Sequence, residues 1–207
     1  MISSVKTSLK YAIVIAMAVI LFFISQVPRE AFGLTFLLFS MAFAGLAGLF
    51  FLAGEKLSFR KILLAGLLLR LAVFPFAPQW SDDFVRFLWD GELLKIGQNP
   101  YDQTPREWQE GNVDPDNAYR NLLFENLNSP DYYSVYPPLN QAIFWLGAQA
   151  SMGFVWNGYY VLRLVLLLGE IGVFLLIWKL LMAFQLPVKR IFWYWFNPFV
   201  IMDITGN

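Results

Sequence analysis

Apolar positions along this chain gather into unbroken runs, separated by short charged stretches and one long polar one. Lys6 and Lys10 precede an uncharged run from Tyr11 to Pro28, Ala31 to Gly54 adds 24 uncharged residues, and Ile62 to Trp80 is apolar except for Arg70. A bilayer crossing needs about 20 mostly apolar residues, so these runs predict three transmembrane helices within residues 1–81. No small-x-small cleavage site follows the first run, which therefore reads as an uncleaved span rather than a secretory signal.

Beyond the polar stretch the pattern is less regular. Residues 137–153, "PPLNQAIFWLGAQASMG", are interrupted by Asn140, Gln141, Gln149 and Ser151, whereas 158–183 is longer and more apolar but carries Arg163 and Glu170. Lys189 and Arg190 then precede "IFWYWFNPFVIMDITGN". Residues 137–207 are thus expected to hold one interfacial or short helix and two transmembrane helices. The chain stops at Asn207 inside or just past an apolar run, which predicts that it is the amino-terminal part of a longer protein.

Between these regions, residues 82–136 predict a loop with helices lying at the membrane surface. Ser81 is a candidate N-cap, and Asp82 and Asp83 suit the positive end of a helix dipole. An amphipathic helix is predicted from there to about Ile96, stopped by Gly97. Asp83, Arg86 and Asp90, spaced three and four apart, fall on one face of it. "GQNPY", 97–101, is a turn in which Pro100 pushes Asn99 extended. Residues 102–115 are expected to be irregular and 116–127 to form a second short amphipathic helix. The fold class is an all-α integral membrane protein, a multi-span bundle with a long outer loop.

Composition strengthens the membrane assignment. Of 207 residues, 58% are hydrophobic and 14% charged, against roughly 25% charged in soluble domains. Charge is segregated: 11 of the 15 acidic residues lie between Asp82 and Asp131, giving that stretch a net charge of −7 and the remainder +7. Lys6, Lys10 and the loop carrying Glu55, Lys56, Arg60 and Lys61 favour the cytoplasm, which places the acidic loop outside. If 137–153 lies along the interface, Lys179, Lys189 and Arg190 also face the cytoplasm. If it crosses, Lys189 and Arg190 lie outside, against the positive-inside tendency, so the interfacial arrangement is favoured.

The chain has no cysteine and no histidine, which excludes thiolate and imidazole chemistry and leaves acid–base work to carboxylates, Tyr or Lys. Each candidate has a plain structural alternative. Asp82 and Asp83 either cap a helix, with Arg86 bridging Asp83 and Asp90, or one of them is a base at lipid-headgroup depth. Tyr132, Tyr133 and Tyr136 form an interfacial aromatic belt or stack on sugars. Arg70 either snorkels, pairs with Glu170 or holds a phosphate. Arg163 and Glu170, seven apart, share a helical face and so one site or one bundle interior.

"LLLRLAVFPFAPQWSDDFVRFLWDGELLKIGQNPYDQTP", followed by "SVYPPLNQAIFWLGA" and the later "FNPFVIMDITGN", resembles the GT-C superfamily of integral membrane glycosyltransferases, closest to bacterial polyprenyl-phosphate-dependent mannosyltransferase-like members. The likeness is one of motif order over residues 62–207. It implies a GT-C-like fold, a lipid-linked sugar as donor, a glycan or lipid acceptor, and transfer outside the cytoplasm, commonly with inversion. It further implies a loop aspartate as general base: Asp83 matches best, with Asp82 second. Arg86 and Asp90 match the "R-x-x-W-D-G" continuation, and Asn99, Tyr101, Tyr136 and Arg70 are the other implied substrate-binding positions. Some members pair acids around a divalent metal. Here Asp82 and Asp83 are adjacent and no second carboxylate is evident, so metal independence is favoured and no metal ligand or cofactor is assigned. The implied location is a bacterial inner membrane, with no nucleic-acid partner. The alternative class is a non-catalytic scaffold or transporter fragment.

Overall fold

A computed structural model describes residues 2–54 and 57–206, with side chains from Val5 onward. Glu55 and Lys56, two of the charges used to orient the chain, and the terminal Asn207 lie outside the described residues. Every regular element described is helical. The chain forms two compact units, residues 1–80 with 166–207 and residues 81–165.

In the first unit α1 (Ile2–Ile24) and α2 (Phe32–Leu52) pack against each other, joined by a seven-residue connection; α2 carries no charged residue and α1 none beyond Lys10. Among the described residues, three helices are long and apolar enough to cross a membrane: Val5–Ile24, Phe32–Leu52 and Val155–Ala183. The third run behaves differently from the expected full span. Its helix, α3 (Phe59–Leu71), has only 13 residues, about 20 Å of rise. The remaining residues to Trp80 form turns that contain Pro75 and Pro78, where proline cannot continue a helical ladder. Trp80, the last residue of the run, donates its indole N–H to the Val27 carbonyl at 3.0 Å.

The core of this unit is built from Met17, Leu21, Leu46, Leu69, Phe174 and Trp195, all buried. The last apolar run is not one helix. It breaks into a 3-10 turn (Val188–Ile191), α9 (Phe192–Trp195), α10 (Pro198–Val200) and a π-helical segment (Ile201–Gly206). Asn197 causes one break: Pro198 follows it, and its side chain accepts from the Phe199 amide at 2.9 Å as an N-cap.

The second unit is organised by α4 (Phe84–Lys95) against α7 (Pro138–Ser151). α4 ends as its sequence predicts. Gly97 takes φ +76°, and the Gln98 and Gly97 amides donate to the Leu93 and Leu94 carbonyls at 2.9 and 3.1 Å, a Schellman motif. Residues 102–115, expected to be irregular, contain α5 (Pro105–Gly111). Thr104 and Glu107 close a capping box around it, with Pro105 at the first helical position. α6 (Ala118–Glu125) occupies the middle of the predicted 116–127 helix, capped by Asn117. α7, the questioned 137–153 segment, has 14 residues and is too short to be among the span-length helices. α8 (Val155–Ala183) starts in this unit and ends in the first.

The α4–α7 contact depends on a missing side chain. A Cβ at Gly91 would run into the Phe144 carbonyl and meet the Ala148 methyl at 2.9 Å. Phe87 and Phe144 stack beside it with ring centroids 4.5 Å apart. Gly91→Ala is therefore expected to force the two helices apart and destabilise the protein by about 1–3 kcal/mol, the usual cost of overpacking, measured as a lowered denaturation midpoint in detergent. An unchanged midpoint would mean that the helices are not in contact at Gly91.

Candidate functional site

The start of α4 brings the two aspartates together in a way that helix capping does not explain. Ser81 Oγ accepts from the Asp83 amide at 3.2 Å, so Ser81 does engage the chain ahead of the helix. Asp83 itself occupies the cap position of α4, but its backbone is already helical and no side chain caps the helix there. Both carboxylates turn instead to Asn128, whose Nδ2 donates to Asp82 Oδ1 at 2.7 Å and to Asp83 Oδ1 at 2.8 Å. A neutral amide thus spends both N–H groups on two adjacent anions without neutralising either. Asp82 and Asn128 are exposed and Asp83 half-buried, and Oδ2 of each aspartate has no hydrogen bond among the described residues.

Arg86 does not bridge Asp83 and Asp90 as the three-and-four spacing suggested. It pairs with Asp90 alone, Nε to Oδ1 at 2.8 Å, and both side chains are buried. Its Nη1 donates to the Ser129 and Tyr132 carbonyls at 3.0 and 2.9 Å. Asp90 Oδ2 accepts from Ser134 Oγ at 2.6 Å and Gln141 Nε2 at 2.9 Å. Four residues therefore fasten α4 to the segment that carries Asn128 and to the first turn of α7. Arg86 Nη2 is buried with no hydrogen-bond partner among the described residues.

The "GQNPY" turn and the "YPPL" return meet in the same unit. The Tyr101 hydroxyl donates to the Tyr136 carbonyl, and Asn99 braces the turn by accepting from the Tyr101 amide at 3.3 Å and donating to Asp102 at 2.6 Å. Tyr136 is half-buried against Phe87 and Phe144, with centroids 5.0 and 5.2 Å away. That burial raises its phenol above the ordinary value, and the Asp83 carboxylate raises it further, so the hydroxyl is a proton donor at neutral pH. The expected aromatic belt divides here: Tyr132 and Tyr133 are exposed, whereas Tyr136 is packed.

A surface pair closes the far side of the loop. Arg106 forks onto Asp131, and its backbone amide donates to the Pro130 carbonyl at 3.0 Å. The hydrogen bond from Arg106 holds the Asp131 carboxyl below the usual carboxylate range and raises the guanidinium. Because the folded-state value of Asp131 is depressed, whatever the pair contributes is present at neutral pH and lost as pH falls through that lowered value.

Arg70, the remaining candidate, belongs to the first unit and takes the pairing alternative. It is fully buried, with Nη2 on Glu170 Oε2 at 2.6 Å, Nη1 on the Gly66 and Trp195 carbonyls at 3.2 and 2.9 Å, and its guanidinium 3.7 Å from the Trp195 ring centre. The Tyr194 hydroxyl donates to the other oxygen of Glu170. Arg163 lies in the second unit, its guanidinium 4.8 Å from the Tyr159 ring centre, whereas Glu170 belongs to the first unit.

Sequence reasoning missed Asn128, Ser134 and Gln141 as members of this site. Asn128 lies 45 residues from Asp83 in an unremarkable turn, and only tertiary folding joins them. The chain matches no family model, no curated protein and no solved structure.

Proposed function

We propose that this chain is a glycosyltransferase of the GT-C kind, moving a sugar from a polyprenyl-phosphate donor to an acceptor hydroxyl at the outer face of a bacterial plasma membrane. The observation that carries it is the Asp82–Asn128–Asp83 clip: two accessible carboxylates, each with one oxygen unspent, on a helix start that is braced from below by the buried Arg86–Asp90 network. Three span-length apolar helices support the membrane setting.

In this reading Asp83 Oδ2 takes the proton of the acceptor hydroxyl. The acceptor oxygen forms its bond to the anomeric carbon, the carbon–oxygen bond to phosphate breaks, and the lipid phosphate leaves with the electron pair. The sugar inverts in a single displacement. Tyr136 supplies an aromatic face and a protonated hydroxyl near Asp83, and Asn99 and Tyr101 hold the turn tied to it. Arg86 and Asp90 act as positioning residues, since both are buried and bonded to one another. Arg70, committed to Glu170, serves the interior of the first unit.

The test is transfer of radiolabel from a panel of polyprenyl-phosphate sugars by the full-length protein in liposomes. Labelled acceptor is the expected product, and no transfer from any donor would favour the scaffold class. Asn128→Ala is expected to lower turnover about tenfold, the order of one hydrogen bond to a charged group, while leaving the melting temperature near wild type because the side chain is exposed. Equal turnover would remove the clip from the mechanism.

A further inference from the structure

The first unit contains a place where charge and cavity coincide, separate in sequence from the acidic loop. A cavity of about 280 Å³ opens between the first half of α1, the end of α2, the start of α3 and α9. Its polar rim carries Lys10 and Lys61 together with the hydroxyls of Tyr11 and Ser58, and its walls are apolar side chains such as Ile62 and Phe196. Among the described residues, no carboxylate lines it. Neither lysine has an ion pair among the described residues. A second cavity of about 350 Å³ adjoins it through Ala53 and Leu57 and brings Lys189, whose ammonium lies 4.8 Å from the Phe50 ring centre.

Two ammonium groups and hydroxyls above an apolar wall, without a compensating acid among the described residues, are complementary to an anion that carries a hydrocarbon tail. The first-turn amides of α3 add donors at the same rim, because Ser58 does not cap them with its side chain. Lys6, Arg60 and Arg190 flank the rim elements in sequence, a clustering of cations that by the positive-inside tendency suits an anionic leaflet. Basic pockets between membrane helices on that side are suited to anionic lipid headgroups.

We infer that the Lys10–Lys61 cavity binds the headgroup of an anionic phospholipid, with its phosphate between the two ammonium groups and its first acyl carbons along the Ile62 and Phe196 wall. The inference does not depend on the glycosyltransferase assignment. Its consequence is that the packing of α1, α2, α3 and α9 is stabilised by lipid, so that anionic lipid content of the membrane sets the stability of this unit.

The test is native mass spectrometry of the full chain, purified in detergent and titrated with dioleoyl phosphatidylglycerol or dioleoyl phosphatidylcholine. The anionic lipid is expected to bind and the zwitterionic one to fail to displace it. Lys10→Gln/Lys61→Gln should weaken anionic binding roughly 25-fold, at about fivefold for each cation removed, whereas Lys6→Gln/Arg60→Gln, which alters charges outside the cavity, should leave it near wild type. Equal binding of the two lipids by the wild-type chain overturns the inference whatever the variants do. So does an equal loss in the Lys6→Gln/Arg60→Gln control, which would make the effect a diffuse one. Displacement of the lipid by millimolar inorganic phosphate would assign the cavity to a free anion instead. A thermal melt of each variant confirms that the lysine substitutions leave the fold intact.

Discussion

Asp90→Ala is expected to destabilise the protein by about 3–5 kcal/mol, the usual cost of removing one partner of a buried ion pair. Asp90 is fully buried and accepts from Arg86, Ser134 and Gln141, so truncation strands a buried guanidinium and two polar side chains at once. Asp90→Asn keeps acceptor capacity but not charge and should fall between wild type and Asp90→Ala. The double substitution Arg86→Met/Asp90→Leu is the informative control. Replacing both charges by apolar groups of similar size is often close to neutral, so it should recover much of the loss. Denaturant melts in detergent would check this. A change of less than about 1 kcal/mol for Asp90→Ala would place the pair at a solvated surface, as in an exposed ion pair, and would contradict its burial.

The recovery expected of the double variant also separates stability from function. The pair fastens α4 to the Ser129 and Tyr132 carbonyls, one and four residues beyond Asn128, and through Asn128 to the two aspartates. An apolar replacement can fill the space but cannot hold those carbonyls. A stable double variant with impaired transfer would therefore be the signature of a positioning network.

Much of the fold was legible because its signals are local. The two long runs at the start and the one around 158–183 are apolar beyond any soluble pattern, and each is a long helix. Gly97 marked the end of α4 because a left-handed residue was required there. The TPRE sequence at 104–107 also held a complete local signal, a capping box with proline at its first helical position, but it was outweighed by the polarity around it. The run from 62 to 80 misled for the opposite reason. Its hydropathy is that of a span, yet its two prolines end the helix early.

The site was less legible, because what defines it is long-range. Spacing alone placed Asp83, Arg86 and Asp90 on one face and joined all three. The structure keeps only the Arg86–Asp90 pair, since the Ser129 and Tyr132 carbonyls draw Arg86 away and Asn128 takes Asp83. Capping was the natural local account of "SDD", but tertiary bonds to one asparagine displace it. Arg70 was half legible: an arginine in an apolar run requires a partner, and Glu170 was the obvious one, whereas its stacking on Trp195 had no local trace.

The proton-accepting role assigned to Asp83 is where the account can be tested most sharply. Asp83→Asn keeps shape, and the amide oxygen can still accept from Asn128, but it cannot take up a proton at neutral pH. General-base catalysis contributes typically 10²–10⁴-fold, so transfer should fall by about that factor while donor binding and the melting temperature stay near wild type. Asp82→Asn, which removes only the neighbouring charge, should fall much less. The measurement is initial-rate transfer from radiolabelled polyprenyl-phosphate sugar by the full-length protein, with wild type, Asp83→Asn and Asp82→Asn side by side. A loss confined to Asp83→Asn is the predicted result. Undiminished transfer by Asp83→Asn would contradict the account.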